Sequence, residues 1–450
     1  MNIINQTESY RSLKNINLDG IESVLIKNCE ELEQDISEIY IDQRFTFDIV
    51  NSFNQRQINT CNINDIIELC NYLQIDETEK FIINNCEPCN NYKIDDKYLE
   101  DLDFPKFITN FKKTINIINE ISKYGSLKWL KYAHKNGCPW NIKTCSEAVK
   151  GGNLECLKYA HQIGCPWNIW TCKDAARAGN LDCLKYLHEN GCLWNIWTCS
   201  KAAKWGNLEC LKYAHQNGCP WNKRTCSSAA EGGHLKCLKY AHENGCPWDK
   251  DTCYCAAKKG DLYCLKYAHE NGCPWDKETC ATASFNGNLD CLKYAHENGC
   301  PWDEWTCKYA AYKGNLDCLK YAHENGCLWD GRTCETAAES GHLDCLKYAH
   351  ENGCLWNIWT CHEAAKNGHL DCLKYAHENG CPWDKETCDT ASFNGNLDCL
   401  KYAHQNGCPW DINTCYYARY SGNLDCLKYA HENGCPWNEE TYRYVHDLDM

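Results

Sequence analysis

Cysteine and histidine are the residues of this sequence that could bind a metal, because they recur together at fixed spacing. Cys145, Cys156 and Cys165 are interspersed with His161, and the same set returns along most of the chain. A structural zinc site needs ligands within roughly 2.0–2.3 Å of one point. Here the cysteines are eleven and nine residues apart, without a CxxC turn. The pattern favours thiols packed as small buried hydrophobic groups, and a structural metal-binding repeat protein is the alternative.

The same histidine and cysteine could also act as a general base and a nucleophile. A catalytic pair is normally unique in its chain and is oriented by a third group in a cleft. His161 and Cys165 instead have equivalents in copy after copy, which indicates a structural position near the end of a helix. We therefore expect no catalytic residue, no cofactor and no enzymatic activity.

These residues are placed by an internal repeat whose clearest marker is tryptophan. Tryptophan recurs every 27 residues, at Trp140, Trp167, Trp194, Trp221, Trp248, Trp275, Trp302, Trp329, Trp356, Trp383, Trp410 and Trp437. A fixed period of this length indicates a repeat architecture. A unit of 27 residues buries too little surface to offset its conformational entropy, so each copy must pack on the next.

Each unit contains the signals of two short helices. Thr144, with Glu147 three residues later, predicts a capping box at the start of the first helix, which ends near Gly152. Asn153 occupies the N-cap position of the second helix, and Gly164 can take the left-handed conformation that ends it. The sequence therefore predicts an all-α solenoid of 27-residue helix-turn-helix units, with the turn tryptophans as a partly buried structural ladder.

Composition and charge limit the remaining function classes. The chain has 450 residues and a net charge of −15, which argues against a nucleic-acid partner, because binding to phosphates needs a basic surface. No segment reaches the run of about 18 apolar residues that a membrane helix needs, and the first residues lack the apolar core of a signal peptide. We therefore expect a soluble cytoplasmic protein with no membrane partner and with reduced thiols.

The repeated segment, residues 113–450, resembles ankyrin repeats of the short, cysteine-rich LKYAHENGCPW type found in giant-virus and protist proteins. The ankyrin pattern of TPLHxAA, a glycine, a helix and LLxxGA is matched in successive copies by Thr171, Ala175, Ala176, Gly179, Ala214, His215 and Gly218. Ankyrin units usually have 33 residues, so the hairpin between helix pairs is expected to be shortened to a turn. The resemblance implies a scaffold that binds a protein partner, such as a host protein in an infected cell, through a variable edge and a concave face.

Positions that differ between copies are the candidates for contact with that partner. They are the two residues before each repeated threonine, the two after each Thr-Cys pair, and the two before the glycine that ends the first helix. At the first of these sets many copies carry tryptophan or a basic residue, and tryptophan and arginine often dominate interface energy. The predicted partner-binding residues are Trp170, Trp197, Lys223, Arg224, Lys277, Trp305, Arg332 and Trp359. Neutral variation of solvent-facing positions is the alternative.

Two copies, residues 275–301 and 383–409, are almost identical in sequence. Recent duplication explains this likeness without selection for a ligand. Phe285 and Phe393, which the two copies share, are therefore left out of the predicted binding surface.

Residues 1–112 lack the 27-residue period and are predicted to form a separate, small and mainly helical domain, with an α/β domain as the alternative. The segment DIIELCNYLQIDETEKFI, residues 65–82, is similar to the LLELANYL helix of BTB and Skp1-like domains, and IYIDQRFTFDIVNSF resembles the strand and helix before it. This resemblance implies a substrate receptor that delivers its bound protein to a cullin ubiquitin ligase. Cys86 and Cys89 form a CxxC pair without the first pair of a zinc ribbon, so packing is again favoured over zinc.

Overall fold

The computed structural model describes residues 2–5, 38–41 and 115–437. Asn2–Asn5 forms strand β1 and Glu38–Ile41 forms strand β2, and the two strands pair in parallel with Asn2 opposite Glu38. The segment 65–82 and the Cys86–Cys89 pair lie outside the described residues. The domain boundary near residue 112 and the BTB-like resemblance therefore stay predictions.

From residue 115 to residue 437 every regular element is an α-helix, and the helices come in pairs with the period of the sequence repeat. The first helices of the pairs are α1 (Ile115–Tyr124), α3 (Ile142–Gly151), α5 (Ile169–Ala178), α7 (Ile196–Lys204), α9 (Lys223–Gly232), α11 (Lys250–Lys259), α13 (Lys277–Phe285), α15 (Glu304–Lys313), α17 (Gly331–Glu339), α19 (Ile358–Lys366), α21 (Lys385–Asn394) and α23 (Ile412–Tyr420). The second helices are α2 (Leu127–Lys135), α4 (Leu154–Gln162), α6 (Leu181–Glu189), α8 (Leu208–Gln216), α10 (Leu235–Glu243), α12 (Leu262–Glu270), α14 (Leu289–Glu297), α16 (Leu316–Glu324), α18 (Leu343–Glu351), α20 (Leu370–Glu378), α22 (Leu397–Gln405) and α24 (Leu424–Glu432). The predicted all-α, helical-repeat architecture is confirmed.

The chain divides into two compact units. The first contains residues 1–202 and 209–220, and the second contains residues 203–208 and 221–450. In the first unit α1, α3 and α5 pack on one another in sequence, and in the second unit α9 to α23 do the same along the first helices. Each of these helices also packs against the second helix of its own repeat, so a repeat is covered by its neighbour as the stacking argument requires.

From α3 onward, each first helix begins after an asparagine or aspartate that follows the tryptophan turn. Before α3, the Asn141 side-chain oxygen accepts a hydrogen bond from the backbone N–H of Lys143 at 2.8 Å. The Thr144 hydroxyl accepts one from the Asn141 N–H at 3.3 Å. The prediction that Thr144 is the N-cap residue is therefore wrong, because this threonine is fully buried inside the first turn and the extended Asn141 caps the helix. Glu147, predicted to complete the box, pairs with Lys150 at 2.6 Å instead.

Many second helices have asparagine at the predicted N-cap position, and several of these side chains bind the end of an earlier first helix. Other second helices have histidine at this position or, before α12, Asp261, which caps its own helix. The Asn180 amide before α6 donates to the Val149 carbonyl at the end of α3, at 2.6 Å. Gly152, which follows α3, has φ +78°, and a Cβ atom there would lie 2.8 Å from the Asn180 side-chain oxygen. Glycine is thus needed for its left-handed backbone and for the close approach of the next repeat.

The recurring small and apolar residues form the core of the stack. In α4, Cys156, Leu157 and Ala160 are fully buried, whereas Leu154 and His161 are half-buried. Burial raises the pKa of Cys156 to about 11, so this thiol is neutral and a poor nucleophile near neutral pH. Among the described residues, no group of three or more histidine, cysteine, aspartate or glutamate side chains is placed to hold a metal ion. The prediction that the recurring thiols pack in the core is confirmed.

The turn tryptophan, the helix-end histidine and a tyrosine of the next repeat make one recurring contact. The His161 ring stacks on the Trp167 indole with centroids 3.9 Å apart, and its Nδ1 lies 3.0 Å from the Tyr186 hydroxyl. Trp167 meets the Tyr186 ring edge-on at 6.3 Å. The same contacts surround Trp302 in the second unit. The tryptophans therefore form the predicted structural ladder, and in these contacts each tryptophan packs against a histidine and a tyrosine.

Candidate functional site

The first helices display the residues that differ between repeats, and their exposed side chains are called the first-helix surface below. All eight predicted binding residues lie in the first turn of a first helix, because each helix begins earlier than the threonine. Lys223 and Lys277 occupy the first helical position, and Trp170, Trp197, Arg224, Trp305, Arg332 and Trp359 occupy the second. Trp170 and Trp197 belong to the first unit and the other six to the second. Trp170 and Trp359 are 45% and 43% exposed, Trp197 and Trp305 are half-buried, and the four basic residues are exposed.

The lysines at the first helical position link consecutive repeats. The Lys223 ammonium lies 2.6 Å from a carboxylate oxygen of Asp249, which caps the next first helix, and Lys277 pairs with Asp303 at 2.7 Å. Both lysine side chains remain more than half exposed, so the pairs are screened by water and contribute little to stability. Lys223 and Lys277 thus have an intramolecular role that their sequence position does not reveal.

The tryptophans at the second position are partly covered by side chains one turn further along the same helix. The Lys173 ammonium lies 4.9 Å from the centre of the Trp170 ring. Lys308 lies 4.4 Å from the Trp305 ring in the same way. Such contacts between a cation and an aromatic face are weakly attractive at exposed sites. A partner that binds these indoles must therefore displace or accept a neighbouring cation.

Sequence reasoning missed an aromatic cluster on α13 and α15, which we call the closed cluster. Phe285 packs edge-on against Tyr309 with centroids 5.5 Å apart and stacks on Tyr312 at 6.3 Å. The Lys313 ammonium lies 4.8 Å from the centre of the Phe285 ring and 5.2 Å from that of Tyr312. A lysine of this chain thus occupies the aromatic faces of the cluster.

The same aromatic arrangement recurs four repeats later on α21 and α23, and we call it the open cluster. Phe393 packs edge-on against Tyr417 at 6.0 Å and stacks on Tyr420 at 6.4 Å, and Tyr416 stacks on Tyr420 at 6.1 Å. Phe393 is 42% exposed and Tyr420 is 72% exposed. The joint return of a phenylalanine and of two tyrosines in the next copy is the sequence signal for both clusters. Attributing the phenylalanine to duplication alone hides that signal.

A cleft of about 350 Å³ lies beside Phe393. It is lined by Lys385, Glu386, Asp389, Thr390, Phe393, Asn413 and Tyr417. Asp389 is 5% exposed, and its carboxylate accepts a hydrogen bond from the Thr414 hydroxyl at 2.6 Å. Burial raises the pKa of the Asp389 carboxyl to about 6. A nearby cation would favour its ionised form, so the cleft is chemically suited to a positively charged group.

The recurring histidine and cysteine have structural partners. His161 Nδ1 faces the Tyr186 hydroxyl. The Cys165 thiol donates to the backbone carbonyl of Asn141 at 3.3 Å, which links the turn after α4 to the turn before α3. His161 is thus engaged in a contact with the next repeat, and Cys165 in a contact within its own repeat.

Five segments of the array match a known protein family. The family model described as ankyrin repeats in many copies matches residues 172–215, 199–242, 280–323, 334–377 and 361–404. The matched segments include residues of both compact units. No curated protein matches this chain. Within the part of the chain that the structure describes, no helix has the length and apolar character needed to cross a membrane.

Proposed function

Because the repeats of this chain are ankyrin repeats, which generally serve as modules for protein–protein interaction and are typically non-enzymatic, we propose that the chain is a protein-binding scaffold. Its partner contacts the first-helix surface. Trp170 and Trp359 are the exposed tryptophans among the predicted contacts. The open cluster adds Phe393 and Tyr420, which the sequence did not predict.

The observation that carries this proposal is the concentration of exposed large aromatic side chains on the first helices. Among the described residues, Tyr263 on α12 and Trp205 in the turn after α7 are exposed elsewhere. Tyr420 is 72% exposed and Trp359 is 43% exposed on first helices, whereas the turn tryptophans are engaged in the stack. Exposing several large aromatic side chains to water does not stabilise a fold, and exposed apolar patches of this kind mark interaction sites. Aromatic residues also supply much of the binding energy at protein interfaces.

Finer identities for the partner rest on sequence resemblance. A host-cell protein as the partner and a cytoplasmic location follow from the likeness to giant-virus and protist repeats. An adaptor role of residues 1–112 toward a cullin ligase follows from the BTB-like segment at residues 65–82. These remain predictions, and the adaptor role requires cullin to co-purify with the full chain but not with a chain lacking residues 1–112.

Site-specific photo-crosslinking tests the scaffold proposal. A photoreactive phenylalanine placed at Trp359 or Tyr420 should capture a discrete protein in extracts of the cells that express this chain. The matched control carries the same residue at Glu378, which is exposed on the second helix α20. Capture from the first-helix positions alone supports the proposal. Equal capture from Glu378, or no discrete product from any position, would contradict it.

A further inference from the structure

The closed and open clusters are two versions of the same structure within one unit. In both, a phenylalanine meets one tyrosine edge-on with an interplanar angle of 86°. In both, it stacks on a second tyrosine, at 21° in the closed cluster and 19° in the open one. The aromatic frame is therefore the same, and differences around it identify what each cluster can bind.

The helices of the two clusters differ at six positions: Ala281, Glu304, Trp305, Lys308, Ala311 and Lys313 correspond to Asp389, Ile412, Asn413, Tyr416, Arg419 and Ser421. Three of these differences change the residues that line the cleft or the cation that covers the rings. Lys313, whose ammonium covers the closed cluster, is replaced by Ser421, so the corresponding aromatic faces lose their internal cation. Trp305, which contacts Tyr309 at 5.4 Å, is replaced by Asn413, which lines the cleft. Within the described residues, no lysine or arginine cation lies over Phe393 or Tyr420.

The third substitution changes the charge of the cleft. Ala281 of the closed cluster corresponds to Asp389, which contributes a carboxyl group to the wall of the cleft. Glu386 adds a second acidic side chain. Lys385, the basic residue of the wall, is paired with Asp411 at 2.7 Å. The cleft thus combines uncovered aromatic faces with an excess of acidic groups, which is complementary to a cation.

We propose that the cleft between α21 and α23 binds a basic side chain, lysine or arginine, of the partner protein. The inference rests on the proposed scaffold function and specifies the chemistry of one contact within it. The incoming cation contacts the Phe393 ring, as Lys313 contacts the Phe285 ring in the closed cluster. Its charge is balanced by Asp389 and Glu386.

The chain offers a substitution that should cover the Phe393 ring with a cation of the chain itself. Ser421→Lys recreates the lysine of the closed cluster, at an exposed position that does not itself line the cleft. Ser340→Lys is the matched control, because it adds the same charge at the same place in another repeat. Circular dichroism establishes that both variants retain the helical fold. Phe393→Leu provides a second test, because it removes the ring and keeps an apolar side chain.

The probe is a pentapeptide Gly-Ser-Lys-Ser-Gly with blocked ends, titrated into the full chain and followed by nuclear magnetic resonance. Its partner probe has norleucine in place of lysine and so lacks the charge. We expect Ser421→Lys and Phe393→Leu to weaken lysine-peptide binding by roughly tenfold, the range of a partly desolvated contact between a cation and an aromatic face. Ser340→Lys should leave binding nearly unchanged, and the norleucine peptide should bind at least as weakly as the lysine peptide binds to Ser421→Lys.

The outcomes separate this inference from the scaffold proposal. Equal binding of the lysine peptide to the wild type and to Ser421→Lys would overturn the inference. Equal binding of the norleucine and lysine peptides to the wild type would overturn it as well. No detectable lysine-peptide binding would overturn it too. If photo-crosslinking from Trp359 and Tyr420 persists in any of these cases, the scaffold proposal stands without the basic contact.

Discussion

The second helices of the repeats are nearly identical in sequence, whereas the first helices differ at most of their exposed positions. On a second helix such as α16, Cys318, Leu319 and Ala322 are buried, and the same three positions are buried in copy after copy. On the first helices the varying residues include exposed tryptophan, phenylalanine and tyrosine. Cysteine and histidine, which have the most reactive side chains, therefore recur because they stabilise the stack, and the proposed recognition of a partner involves the positions that stacking leaves variable.

Removing a recurring core side chain from a second helix should have the greatest effect on stability. Leu319→Ala removes a fully buried side chain and should lower the free energy of unfolding around α16 by about 2–5 kcal/mol. Leu328→Ala is the control, because Leu328 lies in the following turn and is 79% exposed. Hydrogen exchange of the amides in α15 to α18 measures both changes. Similar loss of protection in the two variants would mean that burial does not distinguish the recurring positions.

The next largest effect is the pH dependence of stability that Asp389, on the first helix α21, should cause. Burial raises the pKa of the Asp389 carboxyl to about 6, from about 4 for an ordinary aspartate, so folding favours the protonated form. The wild type therefore loses roughly 3 kcal/mol of stability as pH rises from about 4 to about 6, at about 1.4 kcal/mol per pKa unit. Asp389→Asn keeps an acceptor for Thr414 and should not show this loss.

Denaturation of both proteins at pH 4.5 and pH 8 measures the Asp389 effect. The stability gained by Asp389→Asn should be larger at pH 8 than at pH 4.5. Lys385, Glu386 and Asp411 remain in both proteins, so they do not account for the difference between them. A gain that is the same at both pH values would contradict a raised pKa.

Two glycines of the same repeat should differ in the stability that an alanine substitution costs. Gly368 and Gly380 have φ of +78° and +84°, and a Cβ atom at Gly368 would lie 2.8 Å from the Asn396 side-chain oxygen, while Gly380 has no neighbour within 4 Å. Alanine at either position should cost about 1–2 kcal/mol for the left-handed backbone. Gly368→Ala should cost roughly 1 kcal/mol more, because Asn396 must release the carbonyls that it binds in α19. Urea denaturation compares the two, and equal losses would rule out the close approach as a constraint.

The smallest effect is expected at the exposed ion pairs of the first helices. Lys277→Ala removes the pair with Asp303, whose lysine is 54% exposed. The melting temperature should stay within experimental error at physiological salt, because such pairs are screened by water and ions. Trp305→Ala is the companion variant, and it should reduce partner capture more than Lys277→Ala does. If Lys277→Ala reduced partner capture more than Trp305→Ala does, the partner would contact the charged positions rather than the tryptophans.

Much of the fold follows from the regular spacing of residues along the chain. The tryptophan period of 27 residues and the glycines after each helix predict paired helices, because left-handed glycines end helices. The helix start was misplaced for a physical reason. Threonine, asparagine and aspartate can all cap a helix, and only the buried environment of Thr144 reveals that Asn141 is the cap.

The candidate surface was predictable in outline but not in detail. Sequence variation identifies the helical positions of Trp170 and Trp359, because stacking constrains the residues at the positions that recur in every repeat. The ion pair between Lys277 and Asp303 joins different repeats. The aromatic contact of Phe393 with Tyr420 does the same. Contacts of this kind depend on how one helix lies over the next, and residue spacing within a single unit does not specify that.

A stack of helix pairs follows from the sequence, because a short unit repeated many times can bury its apolar face only against its own copies. The packing of the recurring thiols, imidazoles and indoles in that stack follows from the same repeat. The spacing of residues does not reveal that Lys313 covers one aromatic cluster, or that Phe393 of the other cluster lies in a cleft with Asp389. A cation, a ring and a carboxylate from different helices act together only when packing brings them within a few ångströms.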